Sequence, residues 1–77
     1  MTDNNHSFEL TLDVCVNGQE HTLPAFSTLA DLVDRLGHAP ESIATAVNGA
    51  FVARHQRTAH VLCFGDQVSC FEPIVGG

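Results

Sequence analysis

The chain has 77 residues, of which 44% are hydrophobic, and a formal net charge of −6 at pH 7. A domain of this size buries only about 60% of the surface that its unfolded chain exposes, so it has little room for an enclosed enzyme pocket of roughly 300 Å³ or more. Only Arg35, Arg54 and Arg57 are basic, and they form no cluster of the kind that binds nucleic acid. The acidic excess suits docking on a basic protein surface, or it simply keeps the chain soluble.

Three cysteines (Cys15, Cys63 and Cys70) without a C-x-x-C pair indicate reduced thiols, so we expect a cytoplasmic protein. No apolar run follows a basic start, and no apolar stretch approaches the roughly 20 residues that span a bilayer, so neither a signal peptide nor a membrane partner is expected. The five histidines are scattered, and none lies four residues from a cysteine or another histidine. No metal site is therefore predicted.

A hairpin is predicted near the start of the chain. Residues 1–7 are polar and patternless and predict a loose N-terminus. Apolar and polar residues then alternate from 8 to 16, which predicts a strand with one buried face. Asn17-Gly18 tolerates the positive φ angles of a tight turn. Residues 19–23 are thus the returning strand, which Pro24 ends.

One amphipathic helix follows the hairpin. Ser27 or Thr28 is placed to cap it, and Thr28 with Asp31 approximates a capping box. Leu29, Leu32, Val33 and Leu36 recur at helical spacing and form one apolar stripe. Gly37 suits the left-handed residue that commonly follows a helix.

The second half of the chain predicts another hairpin and a last strand. Residues 45–47 and 51–53 flank a second Asn-Gly turn. Residues 54–60 form a polar connector with room for one helical turn, and a strand over 67–71 follows Gly65-Asp66. Since one helix stripe needs one sheet face, we predict a single α+β domain over 1–77: a mixed sheet of about five strands packed on one main helix, with the last strand between the hairpins.

In this order the motifs resemble those of the ubiquitin-like sulfur-carrier family, most closely its thiamine-biosynthesis members. Each motif is weak alone, and the ordered set is specific because the chain ends in Gly-Gly. The matching pieces are Val16-Asn17-Gly18, the Leu29 to Leu36 helix, Ala46-Val47-Asn48-Gly49, Phe51-Val52-Ala53-Arg54, Gly65-Asp66 and Gly76-Gly77.

The resemblance implies a β-grasp fold and a protein co-substrate that is not itself an enzyme. A ubiquitin-activating-like adenylyltransferase would use ATP to adenylate the Gly77 carboxylate, and sulfur from a donor such as a cysteine desulfurase would give a thiocarboxylate. Thiazole synthase would then use that sulfur to build the thiazole ring of thiamine. Two alternatives stay open: a carrier for molybdopterin or another thio-metabolite, and a ubiquitin-like modifier or interaction domain.

The last four residues are the candidate site. Glycine lacks Cβ, so Gly76 and Gly77 could thread a narrow channel toward ATP. Ile74 and Val75 precede them and are candidates for recognition in a partner's groove. We expect residues 74–77 to form a flexible tail without catalytic residues or a bound cofactor of its own, although a frayed end would look similar.

Phe71 is a candidate docking residue. Val68 and Cys70 share one face of the last strand, so Phe71 is expected on the opposite, open face of the sheet. An exposed aromatic beside a functional tail suits a contact with a protein partner. Singly exposed apolar residues are also common on proteins that bind nothing there.

Overall fold

The alternating pattern of the sequence builds a five-stranded mixed sheet in the computed structural model, which describes residues 10–73. The strands are β1 (Thr11–Val16), β2 (Gln19–Pro24), β3 (Ala44–Val47), β4 (Ala50–Val52) and β5 (Gln67–Phe71). The last strand, β5, runs parallel to β1 and antiparallel to β3, and the order across the sheet is β2-β1-β5-β3-β4. This order confirms that the last strand lies between the two hairpins.

The predicted helix is confirmed as α1 (Leu29–Arg35). Its capping box is complete: the Asp31 amide donates to Thr28 Oγ1 at 3.1 Å, and Asp31 Oδ2 accepts from the Thr28 amide at 2.9 Å. Leu36 is the C-cap, and Gly37 has the positive φ of 84° that a left-handed residue needs. Both ends of the helix therefore lie where the sequence places them.

Two short 3₁₀ helices connect these elements. The first, Pro40–Ser42, leads from α1 to β3, and the second, Arg54–Ala59, follows β4. The second is longer than the single turn that the polar connector predicts. It packs against α1.

One hydrophobic core lies between α1 and the sheet. Leu29 and Leu32 are completely buried, as the helical stripe predicts. In β1, β3 and β5, side chains that face the core alternate with half-buried or exposed ones on the other sheet surface, which α1 does not cover. The strand residues of the core are Leu12, Val14, Val16, Leu23, Val47, Val52 and Val68.

Leu10 is exposed, although the alternating pattern over residues 8–16 predicts that its side chain is buried. The residue precedes β1 and is 67% exposed. β1 and β2 pair from Thr11 opposite Pro24, and the Leu10 carbonyl accepts from the Ala25 amide just beyond that pairing. Leu10 thus extends past the part of the sheet that forms the core, and periodicity alone does not show where that part ends.

Candidate functional site: the open face and the end of β5

The structure describes the approach to the tail. Ile74, Val75, Gly76 and Gly77 lie outside the described residues, so their roles stay predictions. Immediately before them, β5 ends at Phe71, and Glu72 and Pro73 are exposed. The strand that leads to the tail is central in the sheet, so it is held by neighbours on both sides.

The side chain of Asn17 holds the end of β5 through two hydrogen bonds. Its Nδ2 donates to the Cys70 carbonyl and its Oδ1 accepts from the Cys70 amide, both at 3.0 Å. A side-chain amide therefore continues the pairing between β1 and β5 beyond Val16. This contact fixes the backbone one residue before Phe71 and four residues before the predicted tail.

The second Asn-Gly turn holds the start of the same strand. Asn48 Oδ1 accepts from the Gln67 amide at 2.9 Å, and Asn48 Nδ2 donates to Asp66 at the same distance. Asn17 and Asn48 both have left-handed backbone conformations, with φ of 50° and 52°. Sequence reasoning gave these asparagines only a turn role, because local pattern does not show what their side chains reach.

Phe71 lies on the uncovered surface of the sheet and is 47% exposed. Its partner across the β3–β5 pairing is Ala44, while Phe51 of β4 is opposite Ala46. These four residues share one sheet surface, which we call the open face. Phe51 is 67% exposed. Two exposed phenylalanines flanking small alanines make a shallow apolar surface beside the start of the tail.

Two of the three cysteines lie on opposite faces of the sheet, and the third lies in a loop. Cys70 packs against the core, as predicted, and burial raises the pKa of its thiol, with the nearby Arg57 charge partly opposing that rise. Cys15 is half-buried on the same sheet surface as the open face, and Cys63 is exposed in a loop. The Cys70 thiol is therefore protonated at neutral pH and is a poor nucleophile.

The burial of Arg57 was not predicted from the sequence. The residue falls in a polar connector, yet its side chain is only 3% exposed. The guanidinium donates from Nε to Thr45 Oγ1 at 3.0 Å and from its two terminal nitrogens to the carbonyls of Pro40 and Ile43 at 2.9 and 2.7 Å. By contrast, Arg54 is exposed, as expected of a surface arginine.

Within residues 10–73, no group of three or more His, Cys, Asp or Glu side chains is arranged to hold a metal ion. Among the same residues no helix has the length and apolar character needed to cross a bilayer. Among the described residues, the candidate functional features are thus the open face and the strand that leads to the predicted tail.

Comparison with known proteins agrees with this geometry. The model of the ThiS family matches residues 10–77. A thiazole synthase from Magnetococcus marinus is 38% identical over 66 residues, which make up 86% of this chain but only 20% of that protein. The sulfur carrier protein ThiS of Escherichia coli is 30% identical over 66 residues, with 86% of this chain and 100% of that protein covered.

A solved structure shows the same architecture. The crystal structure of the thiamine biosynthesis protein ThiS from Geobacter metallireducens superimposes with a TM-score of 0.74 at 26% identity, covering 86% of this chain and 100% of that one. The predicted β-grasp, with five strands and one main helix, is thereby confirmed. This chain accordingly belongs to the ThiS family, the sulfur carriers of thiamine biosynthesis, and is a carrier protein and not an enzyme.

Proposed function

We propose that the protein carries sulfur as a thiocarboxylate on Gly77. The observation that supports this most directly is a family match that includes Gly76 and Gly77. The central strand β5 supports it as well, because it is anchored by Asn17 close to where the tail begins. A rigid domain would then present a short segment to partner enzymes.

The proposed chemistry needs only a carboxylate from this protein. Carboxylate oxygens are poor leaving groups, so an activating enzyme joins the Gly77 carboxylate to AMP from ATP and releases pyrophosphate. Sulfide then attacks the acyl carbon and expels AMP, which leaves the thiocarboxylate. A persulfide of the partner would instead expel AMP to give an acyl disulfide, and a second thiol of the partner would then cleave its S–S bond, release the thiocarboxylate and form a disulfide with the first cysteine. Phosphate-binding cations, Mg²⁺ and the sulfur-bearing cysteine belong to the partner. A donor such as a cysteine desulfurase supplies the sulfur, and the cycle runs in the cytoplasm.

Thiazole synthase is the proposed acceptor of the sulfur. In Magnetococcus marinus, a protein of that name contains a segment similar to most of this chain. When one organism joins two functions in one polypeptide, we expect the corresponding separate proteins of another organism to bind each other. This supports a complex between the carrier and a thiazole synthase, in addition to one with a ubiquitin-activating-like adenylyltransferase.

Phe71 is the proposed anchor of the docking surface. The phenylalanine stands on the open face with about half of its surface accessible, and aromatic anchors supply much of the affinity of protein interfaces. Its position three residues before Ile74 would let one partner hold the open face and the tail together. Ile74, Val75 and Gly76 would then lie in the partner's groove.

The experiment compares Gly77→Val with the wild type and with a His38→Val control at an exposed position outside the open face and the tail. Each protein is co-expressed with its candidate activating enzyme and thiazole synthase, and pyrophosphate exchange and intact mass are measured. We expect the wild type and the control to support exchange and to gain the mass of one oxygen replaced by sulfur. Gly77→Val should keep the circular dichroism spectrum of the fold and lose both activities, because Cβ blocks the narrow approach to ATP.

Two results would contradict the proposal. Undiminished pyrophosphate exchange in Gly77→Val would show that the terminal glycine is not the activated group. A product joined to a lysine of another protein, instead of a thiocarboxylate, would identify a ubiquitin-like modifier.

A further inference from the structure

Both hairpins turn on a Val-Asn-Gly sequence, and this sequence is chemically reactive. The amide nitrogen of the residue after an asparagine can attack Cγ of the asparagine side chain, and glycine hinders this attack least because it lacks Cβ. Asn17, Gly18, Asn48 and Gly49 are all exposed. Among the described residues, leaving aside chain neighbours, a Cβ at either glycine would meet no atom within 4 Å. Both turns are thus open to water and hydroxide.

The reaction at such a turn is a deamidation, one of the changes that make asparagine a thermolabile residue. Hydroxide removes the proton of the glycine amide, the nitrogen forms a bond to Cγ, and the bond from Cγ to Nδ2 breaks. Nδ2 takes a proton from water and leaves as ammonia, which regenerates the hydroxide. Water then opens the cyclic succinimide at either of its carbonyl groups and gives an aspartate or an isoaspartate. One water is consumed and one ammonia is released, without an oxidant or a reductant.

Neither asparagine can react in the folded protein without first giving up its hydrogen bonds. The side-chain amide of Asn17 bonds with the amide and the carbonyl of Cys70, both at 3.0 Å. That of Asn48 bonds with the Gln67 amide and with Asp66 Oδ1, both at 2.9 Å. Ring closure rotates the side chain out of a staggered rotamer, which separates it from these partners. The rate at each site is therefore limited by how often the side chain is released.

The two turns differ in how firmly the side chain is held. Both bonds of Asn17 go to neutral backbone groups, whereas Asn48 donates to the carboxylate of Asp66. A hydrogen bond to an ionised group is about twice as strong as a neutral one. The backbones match closely, with φ of 50° at Asn17 and 52° at Asn48. Asn17 is therefore expected to be released more often than Asn48.

We propose that Asn17 is a site of spontaneous deamidation and that it reacts before Asn48, because a carboxylate holds only Asn48. Neither product at Asn17 retains Nδ2, so the Cys70 carbonyl loses its donor and a negative charge enters the turn. Deamidation therefore loosens the hold on the end of β5. The reaction involves only this protein and water, so the inference does not depend on the function proposed above.

Incubation of the full chain at mildly alkaline pH, followed by peptide mass spectrometry, tests the proposal. Cleavage after Arg35 separates the two sites, and fragmentation of the first peptide distinguishes Asn17 from Asn4 and Asn5. The same chain unfolded in guanidinium chloride is the reference, in which both Val-Asn-Gly sequences should react at similar rates. In the folded protein we expect Asn17 to react about tenfold more slowly than in this reference, and Asn48 about fivefold more slowly again.

Asp66→Asn tests the physical reason for the difference. An amide does not supply the charge of a carboxylate, so Asn48 should deamidate about fivefold faster in this variant while Asn17 keeps its wild-type rate. Asn17 is the internal control, because a general loss of stability would accelerate both sites. Asp34→Asn changes an exposed carboxylate of α1. It is the matched charge control and should alter neither rate.

Asn17→Asp reproduces one of the two products and tests its effect on β5. The Cys70 amide should exchange with deuterium about fivefold faster than in the wild type, because the carbonyl of the same residue has lost its donor. The Gln67 amide, which bonds with Asn48, should keep its wild-type rate. Unchanged exchange at Cys70 would contradict the loosening of β5.

Four outcomes of the incubations would overturn the proposal. Equal rates at Asn17 in the folded and unfolded chains would show that the Cys70 contact does not restrain the side chain. No conversion at Asn17 in the folded protein, once the unfolded chain has reacted completely, would show that the fold closes this site. Faster reaction at Asn48 than at Asn17 would show that the carboxylate does not protect. Equal acceleration of both sites in Asp66→Asn would attribute the difference to overall stability.

Discussion

At the scale of single residues, the side chain that joins the most segments is Arg57, an arginine that composition alone would place at the surface. Arg57 links the second 3₁₀ helix to the backbone before β3 and to the hydroxyl of Thr45. Thr45 is itself fully buried and donates to the Val52 carbonyl. One guanidinium thus joins segments that the core contacts alone would hold less firmly.

Arg57→Met is expected to lower the free energy of unfolding by about 2 kcal/mol. Methionine keeps most of the apolar stem but leaves the Pro40 and Ile43 carbonyls without their donor, and each buried group that loses its partner costs about 1–3 kcal/mol. Relief from burying a charge offsets part of that loss. Urea denaturation followed by circular dichroism measures the change.

Arg54→Met is the matched control for this change. Its side chain is exposed, so the free energy of unfolding should move by less than about 0.5 kcal/mol. If Arg57→Met were as stable as this control, the buried hydrogen bonds of Arg57 would contribute nothing net to the fold.

At the scale of elements, β5 is held at both of its ends by asparagine side chains from the two hairpin turns. Asn48 pairs with Gln67 at the start of the strand, and Asn17 pairs with Cys70 near its end. Each Asn-Gly sequence thus closes its own hairpin and also ties that hairpin to the central strand. The Asn17 contact holds the backbone of β5 one residue before the strand ends.

Asn17→Gly should loosen the end of β5 without opening the first hairpin. Glycine accepts the positive φ of that turn, so the substitution removes the two side-chain hydrogen bonds and little else. Because exposed hydrogen bonds contribute about 1 kcal/mol, we expect the Cys70 amide to exchange with deuterium about fivefold faster. Native-state hydrogen exchange read by NMR measures this.

Asn48→Gly is the control for position along the strand. It should accelerate exchange of the Gln67 amide, whose acceptor is lost, and leave the Cys70 amide near its wild-type rate. Identical exchange patterns in the two variants would mean that the asparagines act through overall stability instead of holding separate ends of β5.

At the scale of the whole molecule, the sheet separates two surfaces with different uses. The surface under α1 forms the core, and the open face remains available around Phe71. The rest of the chain is strongly acidic, with nine acidic residues against three basic ones. A partner that docks here is expected to combine an apolar groove with a basic surrounding surface.

The association rate with the activating enzyme should therefore fall as salt is added. Raising the NaCl concentration from about 0.05 M to about 0.5 M is expected to slow association by about tenfold, because ions screen the attraction between unlike surfaces. Surface plasmon resonance or stopped-flow fluorescence measures the rate constant. The physical reason is long-range attraction, so dissociation should change much less.

Phe71→Ala separates the apolar contribution from this charge effect. It should speed dissociation while leaving the salt dependence of association as it is in the wild type. An association rate that does not respond to salt would mean that the acidity serves solubility alone.

The parts of the fold that could be predicted are those with a local cause. Alternation from Leu12 to Val16 gives β1, helical spacing from Leu29 gives α1, and the two Asn-Gly turns give the hairpins. The site could be predicted in part: Phe71 was placed on the open face from strand alternation alone. Leu10 was misplaced, because the pattern of a strand does not show where its covering layer ends.

By itself the sequence determined the elements, their order and the family, because hydrophobic spacing, turn residues and the terminal Gly-Gly are properties of neighbouring positions. Only the tertiary structure decided that Arg57 is buried and that the Asn17 side chain forms hydrogen bonds with the backbone of Cys70, a residue 53 positions away. A polar side chain finds its partner by the way distant segments pack, and nothing in its immediate sequence records that partner. The contact between α1 and the second 3₁₀ helix has the same origin, since these segments meet only in the folded domain.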